Sequence, residues 1–126
     1  MPDCAPFMEP GQNPTCHVNA AVTGCRFVQI KTGVNAVDGN AQVEPCGAGL
    51  KAFGVAARDK LAGEKVMVFR WGVVPVIAGA TLAHGVPVEA DAQGRAIPLA
   101  AGERLGICML DAASGAQAKI ALELGA

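Results

Sequence analysis

The chain has no tyrosine, one tryptophan and four phenylalanines. Single-stranded nucleic acids bind by stacking their bases on aromatic rings, so a platform of that kind is excluded. An excess of one charge is also missing: ten basic and eleven acidic side chains leave a formal net charge of −1. With no basic stripe, a phosphate backbone is not an expected partner. More than half of the residues are apolar, yet charges or turn formers cut every apolar run well short of the roughly 18 residues that a membrane helix needs. The opening MPDCAPFMEP holds acids and prolines where a secretory signal has a basic segment and an apolar stretch. Membrane and export are therefore not expected, and the default compartment is a reducing cytosol.

Groups that do chemistry are as scarce. The five cysteines, at positions 4, 16, 25, 46 and 108, are widely and irregularly spaced, with no C-x-x-C pair. This argues against a structural zinc site or a redox dithiol. In a reducing compartment they read as free thiols that pack as small hydrophobes, Cys25 and Cys108 within strand-like runs. The histidines are His17 and His84. Cys16 and His17 are neighbours, and neighbours in an extended segment point to opposite sides, so they cannot act as nucleophile and base together. His84 stands beside Gly85 at a turn. The sole serine, Ser114, lies in a turn-like Ala-Ala-Ser-Gly stretch and not in a nucleophile elbow. Gly47-Ala48-Gly49-Leu50-Lys51 lacks the spacing and the Ser/Thr of a phosphate loop. The carboxylates Asp59, Glu64, Asp91, Glu103 and Asp111 fall near predicted turns, and Asp91-Ala92-Gln93-Gly94 reads as a hairpin turn with the Asp capping backbone amides. No catalytic, cofactor or metal site is expected.

What is present is a pattern. Pro2, Pro6, Pro10 and Pro14 recur at every fourth position, with Gly11 and Asn13 between them. Proline fixes φ and lacks an amide hydrogen, so residues 1–17 are expected to form an extended arm, neither helix nor central strand. Phe7 and Met8 are its large apolar side chains, and they suit docking on this domain or on a neighbour. Residues 18–126 then alternate short β-type runs with glycine: Cys25–Ile30, Val66–Arg70, Val73–Ile77, Gly106–Leu110 and Ala118–Leu124. Such runs predict an all-β fold, one small barrel or sandwich. Ala48 to Leu61 is alanine-rich, but Gly49 and Gly54 limit it to at most a helical turn. Pro75 and Pro87 each remove a ladder donor, so their strands are expected at a sheet edge or to begin at the proline, leaving edges open to contact.

The 126 residues also repeat themselves. Val43-Glu44-Pro45, Ala52-Phe53-Gly54-Val55-Ala56 and Leu61-Ala62-Gly63 have counterparts in Ala96-Ile97-Pro98, Arg104-Leu105-Gly106-Ile107-Cys108 and Ala113-Ser114-Gly115. Upstream, Thr23-Gly24-Cys25-Arg26-Phe27 pairs with His84-Gly85-Val86-Pro87-Val88, so the offset falls from 61 to about 52 across the longer loop from Lys31 to Gln42. Half of a small barrel cannot bury its own apolar face, and two similar halves, about 18–70 and 71–126, can close on each other.

Pro10-Gly11-Gln12, Ala20–Gly24, Phe53–Ala56, Ala62–Val66, Ala78–Ala80, Gly85–Ala90, Gly94–Pro98, Leu105–Ile107 and Ile120–Leu124 occur in an order that resembles capsid decoration (capsid cement) proteins of tailed phages infecting actinobacteria. The resemblance spans nearly the whole chain. It implies a β-barrel-like domain on the outer surface of the virion. Such a protein is made in the bacterial cytoplasm, commonly as a homotrimer, and binds the major capsid protein where capsomers meet so that the shell resists internal pressure. On that reading the arm residues Phe7, Met8, Pro10, Gln12 and Pro14 contact the capsid or a sister subunit, and the strands of Pro75 and Pro87 offer edges for strand addition. The five cysteines and Cys16-His17 depart from the family pattern. The competing readings are a head-completion or tail-tube subunit, a small-ligand-binding β-barrel, and an enzyme pairing Cys16 or Cys25 with His84.

Overall fold

Valine and isoleucine at alternate positions put one apolar face on each strand, and glycines at the turns let successive strands fold back at once. The computed structural model describes residues 14–33 and 40–123. It contains ten strands: β1 (Thr15–Val18), β2 (Phe27–Ile30), β3 (Gln42–Pro45), β4 (Gly54–Ala56), β5 (Lys65–Phe69), β6 (Val73–Ile77), β7 (Pro87–Ala90), β8 (Ala96–Pro98), β9 (Gly106–Cys108) and β10 (Gln117–Leu122). No helix occurs among the described residues; the alanine-rich stretch from Ala48 carries β4 instead. β1 begins at Thr15, so Thr15, Cys16 and His17 belong to the β domain and not to an arm reaching residue 17. The reason lies in Cys16 and Val18, which alternate into the barrel interior.

The first five strands form a closed barrel in the order β1-β3-β2-β4-β5, and the last five a sheet in the order β6-β10-β9-β7-β8. These are one topology used twice. Val28 faces Gly54 as Val88 faces Gly106, and Ile30 faces Val43 as Ala90 faces Ala96. The parallel β1–β3 contact that closes the first barrel reappears as a single bridge, Ala78 to Ala96. Two further bridges, Val22–Lys60 and Leu82–Ala112, also correspond. The register makes Gly24 the twin of His84, and Cys25 the twin of Gly85, one residue away from the match read off the sequence. Cys25 and Gly85 share a left-handed turn, at φ 60 and 80.

Interior positions correspond too. The first half packs Cys16, Val18, Val22, Val28, Val43, Ala56, Val66 and Val68 together. Their twins Val76, Ala78, Leu82, Val88, Ala96, Cys108, Ala118 and Ile120 fill the second. The second cluster then runs on into the first half through Phe27, Cys46, Ala52 and Val55. These four seal the junction, and burying Phe27 alone is worth about 2–3 kcal/mol. β4 is buried at all three positions because one side faces its own barrel and the other faces the second half. Gly54 and Gly106 are required by close packing: a Cβ would land on Val68 and the Phe69 carbonyl in one case, and on the Ala121 carbonyl in the other.

Pro75 sits in β6, at one end of the second sheet. Its ladder neighbours Val74 and Val76 lie opposite Ile120 and Ala118. Backbone groups alternate sides along a strand, so the donor that Pro75 lacks is one that would face away from β10. Ile77, on that same side, donates its amide to the Cys25 carbonyl at 2.8 Å. Pro87 does begin its strand, but β7 lies between β8 and β9. It therefore marks no edge, and strand addition beside it is ruled out by the two neighbours already paired there.

Candidate functional site

The titratable side chains near turns hold the backbone. Asp59 accepts the Gly24 amide at 2.7 Å, and its twin Asp111 accepts the His84 amide at 2.8 Å. Asp91 accepts from the amides of Gln93 and Arg95 with one oxygen and from Arg95 Nε at 2.8 Å with the other, which is the capped hairpin turn expected there. Gln29 accepts the Gly47 amide, and its twin Glu89, the one buried charged side chain among the described residues, accepts that of Ala100.

The histidine–cysteine pairing is not assembled. His84 Nδ1 lies 2.8 Å from Asp111 Oδ1 on an exposed turn, and hydrogen bonds from the His84 side chain and amide hold the Asp111 carboxyl below the usual carboxylate range. Cys16 points into the first barrel, where burial raises its thiol against the opposing pull of the Arg70 charge. Cys46 lies at the junction, its thiol pushed up to about 11 by burial, and Cys108 donates to the Leu110 carbonyl at 2.9 Å. Only Cys25 of the described cysteines is partly exposed. Among the described residues no group of three His, Cys, Asp or Glu side chains could hold a metal ion, and no helix is long and apolar enough to cross a membrane.

The surface also carries exposed apolar side chains, some of them beside charged ones. An open groove of about 460 Å³ is lined by Ile30, Leu50, Lys51, Phe53 and Arg70 among others. The Arg70 guanidinium stacks 4.3 Å over the Phe53 ring while Nε donates to the Phe53 carbonyl at 2.8 Å. Trp71, in the connector between the halves, is 59% exposed, and Val73, Met67 and Met109 are also largely uncovered. Of the expected contact residues, Phe7, Met8, Pro10 and Gln12 lie outside the described residues. Pro14 is buried and its carbonyl accepts the Val68 amide at 2.9 Å, so it is engaged by its own barrel. Sequence reading did not single out the exposed Trp71 or the groove, whose residues come from three separate stretches of chain.

The described residues thus form a doubled β module with buried apolar interiors and several exposed apolar side chains. The phage cement protein family matches residues 8–124, and the chain belongs to that family. It is thus a phage capsid-associated structural protein of the virion. The crystal structure of the head fiber gp8.5 N base in bacteriophage phi29 has a similar fold, with a TM-score of 0.74 at 17% identity, covering 89% of this chain and 93% of that chain. Among curated proteins, no sequence matches the chain.

Proposed function

We propose that the protein is a capsid cement that binds the outer surface of a phage head at capsomer junctions, contacts the major capsid protein and stabilises the shell without catalysis. The observation that carries this reading is the family match over residues 8–124. The exposed apolar side chains described above suit repeated, modest contacts that add up over many copies. The similarity in fold to a phage head fiber base is in keeping with attachment to a head. The resemblance to decoration proteins of actinobacterial phages adds that host class to the proposal.

The proline-rich segment ahead of β1, with Phe7 and Met8 as anchors, is proposed to lie across the capsid protein. A pre-extended segment loses less entropy on docking than a flexible one. Because β1 starts at Thr15, a truncation that tests this must stop at residue 13. Purified protein added to shells lacking it is expected to bind saturably and to raise the temperature at which they release DNA. The chain truncated at residue 13 should stay folded and bind more weakly. Absence of the protein from purified virions by mass spectrometry would end the cement reading, and undiminished binding of the truncated chain would end the arm's part in it.

A further inference from the structure

A second, smaller pocket of about 190 Å³ opens where the two halves meet, lined by Val22, Thr23, Arg26, Phe27, Pro45 and Gln93 among others. Arg26 is the one charged side chain among the lining residues. Its backbone is fixed, because the Cys25 amide donates to the Ala56 carbonyl at 2.9 Å and the Ala56 amide donates to the Arg26 carbonyl at 3.0 Å. Its guanidinium is less well held. Nη1 meets the Gln93 carbonyl at 3.5 Å, the outer limit of a hydrogen bond, and Nε is buried with no partner among the described residues. A permanent charge that is partly withdrawn from water and so weakly paired favours an acceptor brought to it from outside.

The twin position shows that the fold itself does not need this arginine. Val22, Phe27, Val28 and Pro45 correspond to Leu82, Pro87, Val88 and Pro98, so the walls are apolar in both halves. The polar residues are not repeated: Thr23 and Arg26 correspond to Ala83 and Val86. The nearby carboxylates are already engaged, Asp59 by the Gly24 amide and Asp91 by the Gln93 and Arg95 amides and the Arg95 guanidinium. Neither lines the pocket.

We propose that this pocket receives an aspartate or glutamate side chain of the major capsid protein. The carboxylate meets the Arg26 guanidinium, and the methylenes above it lie against the apolar wall. The proposal rests on the cement reading and names the chemistry of one contact in it. The volume is below the roughly 300 Å³ at which small-molecule sites begin, so it suits one inserted side chain. A single guanidinium does not suit a nucleic acid, which is held through several phosphates at once.

The test is binding to shells that lack the protein, comparing wild type with Arg26→Gln, Thr23→Trp and Arg26→Lys. Arg26→Gln removes the charge and is expected to weaken binding at each site about ten- to a hundredfold, with little change in melting temperature. Thr23 is exposed on the rim, so Thr23→Trp fills the pocket with Arg26 in place. It should weaken binding to a similar degree, and it serves if Arg26→Gln fails to fold. Arg26→Lys keeps the charge but not the planar fork, and is expected to bind between the two. Treated on the shell with a carbodiimide, which joins an amine to a carboxyl group, it should crosslink through position 26 to an acidic residue of the capsid protein. A wild type that binds no shell would end the cement reading together with this proposal. A wild type that binds while either folded variant binds as tightly would overturn this proposal alone. So would weak binding of Arg26→Gln that follows a large fall in melting temperature, since the arginine would then only brace the Gln93 loop. Crosslinks confined to copies of this chain would overturn it as well.

Discussion

Gly94 and Phe27 meet backbone to backbone: the Gly94 carbonyl accepts the Phe27 amide at 2.7 Å, and a Cβ on Gly94 would lie 2.7 Å from the Phe27 carbonyl oxygen. Gly94 also has φ +77. This position joins the halves, and a side chain there is penalised twice. Gly94→Ala is expected to lower unfolding stability by about 2–4 kcal/mol, from left-handed strain and the clash together. Gly115→Ala has a similar φ with open space around it, so it should cost only about 1 kcal/mol. Urea unfolding of the two variants separates the terms, and equal losses would show that the junction contact contributes nothing.

The twin relation between Cys25 and Gly85 makes a second test. Cys25 holds φ 60 with a side chain, where its twin has none. Cys25→Gly is expected to be tolerated and to raise stability by about 0.5–1 kcal/mol, the left-handed cost less the added chain entropy. Cys25→Val, branched at Cβ, should lower it. Thermal unfolding at neutral pH measures both.

Thiol reactivity follows from placement. Alkylation of the native protein, followed by peptide mapping, is expected to label Cys25 well ahead of Cys16, Cys46 and Cys108, which are buried and react only on unfolding. Fast labelling of Cys46 in the native state would contradict the junction packing.

The same burial predicts a pH dependence. The Cys46 thiol ordinarily loses its proton near 9.0, and in the fold at about 11. The folded state holds the proton more tightly, so the contribution is fully present below pH 9 and is lost as pH rises from 9 to 11. Urea midpoints measured across that window should fall more steeply for the wild type than for Cys46→Ala. Parallel slopes would show that Cys46 is not the group responsible.

Much of the fold was legible because turn and packing constraints recur in kind. Pro45 and Pro98 end twin strands, and Gly54 and Gly106 stand where a Cβ would strike the next strand. The upstream register was misread by one residue for a physical reason. Matching glycine to glycine set Gly24 on Gly85, whereas the left-handed position of the first half is filled by Cys25. The arm boundary at residue 17 failed similarly, since proline spacing says nothing of Cys16 and Val18 entering a barrel. The half-buried apolar row on the second half was not legible at all. Val73, Pro87, Ile107 and Ala121 are ordinary strand residues far apart in the chain, and only the ladder pairings bring them into one row.

Pro75 has a consequence for how identical chains of this fold meet one another. A strand flank with free amides is a template on which like chains can pair. By withholding a donor on the outer flank of β6, this single residue removes a rung from any ladder an identical flank could start.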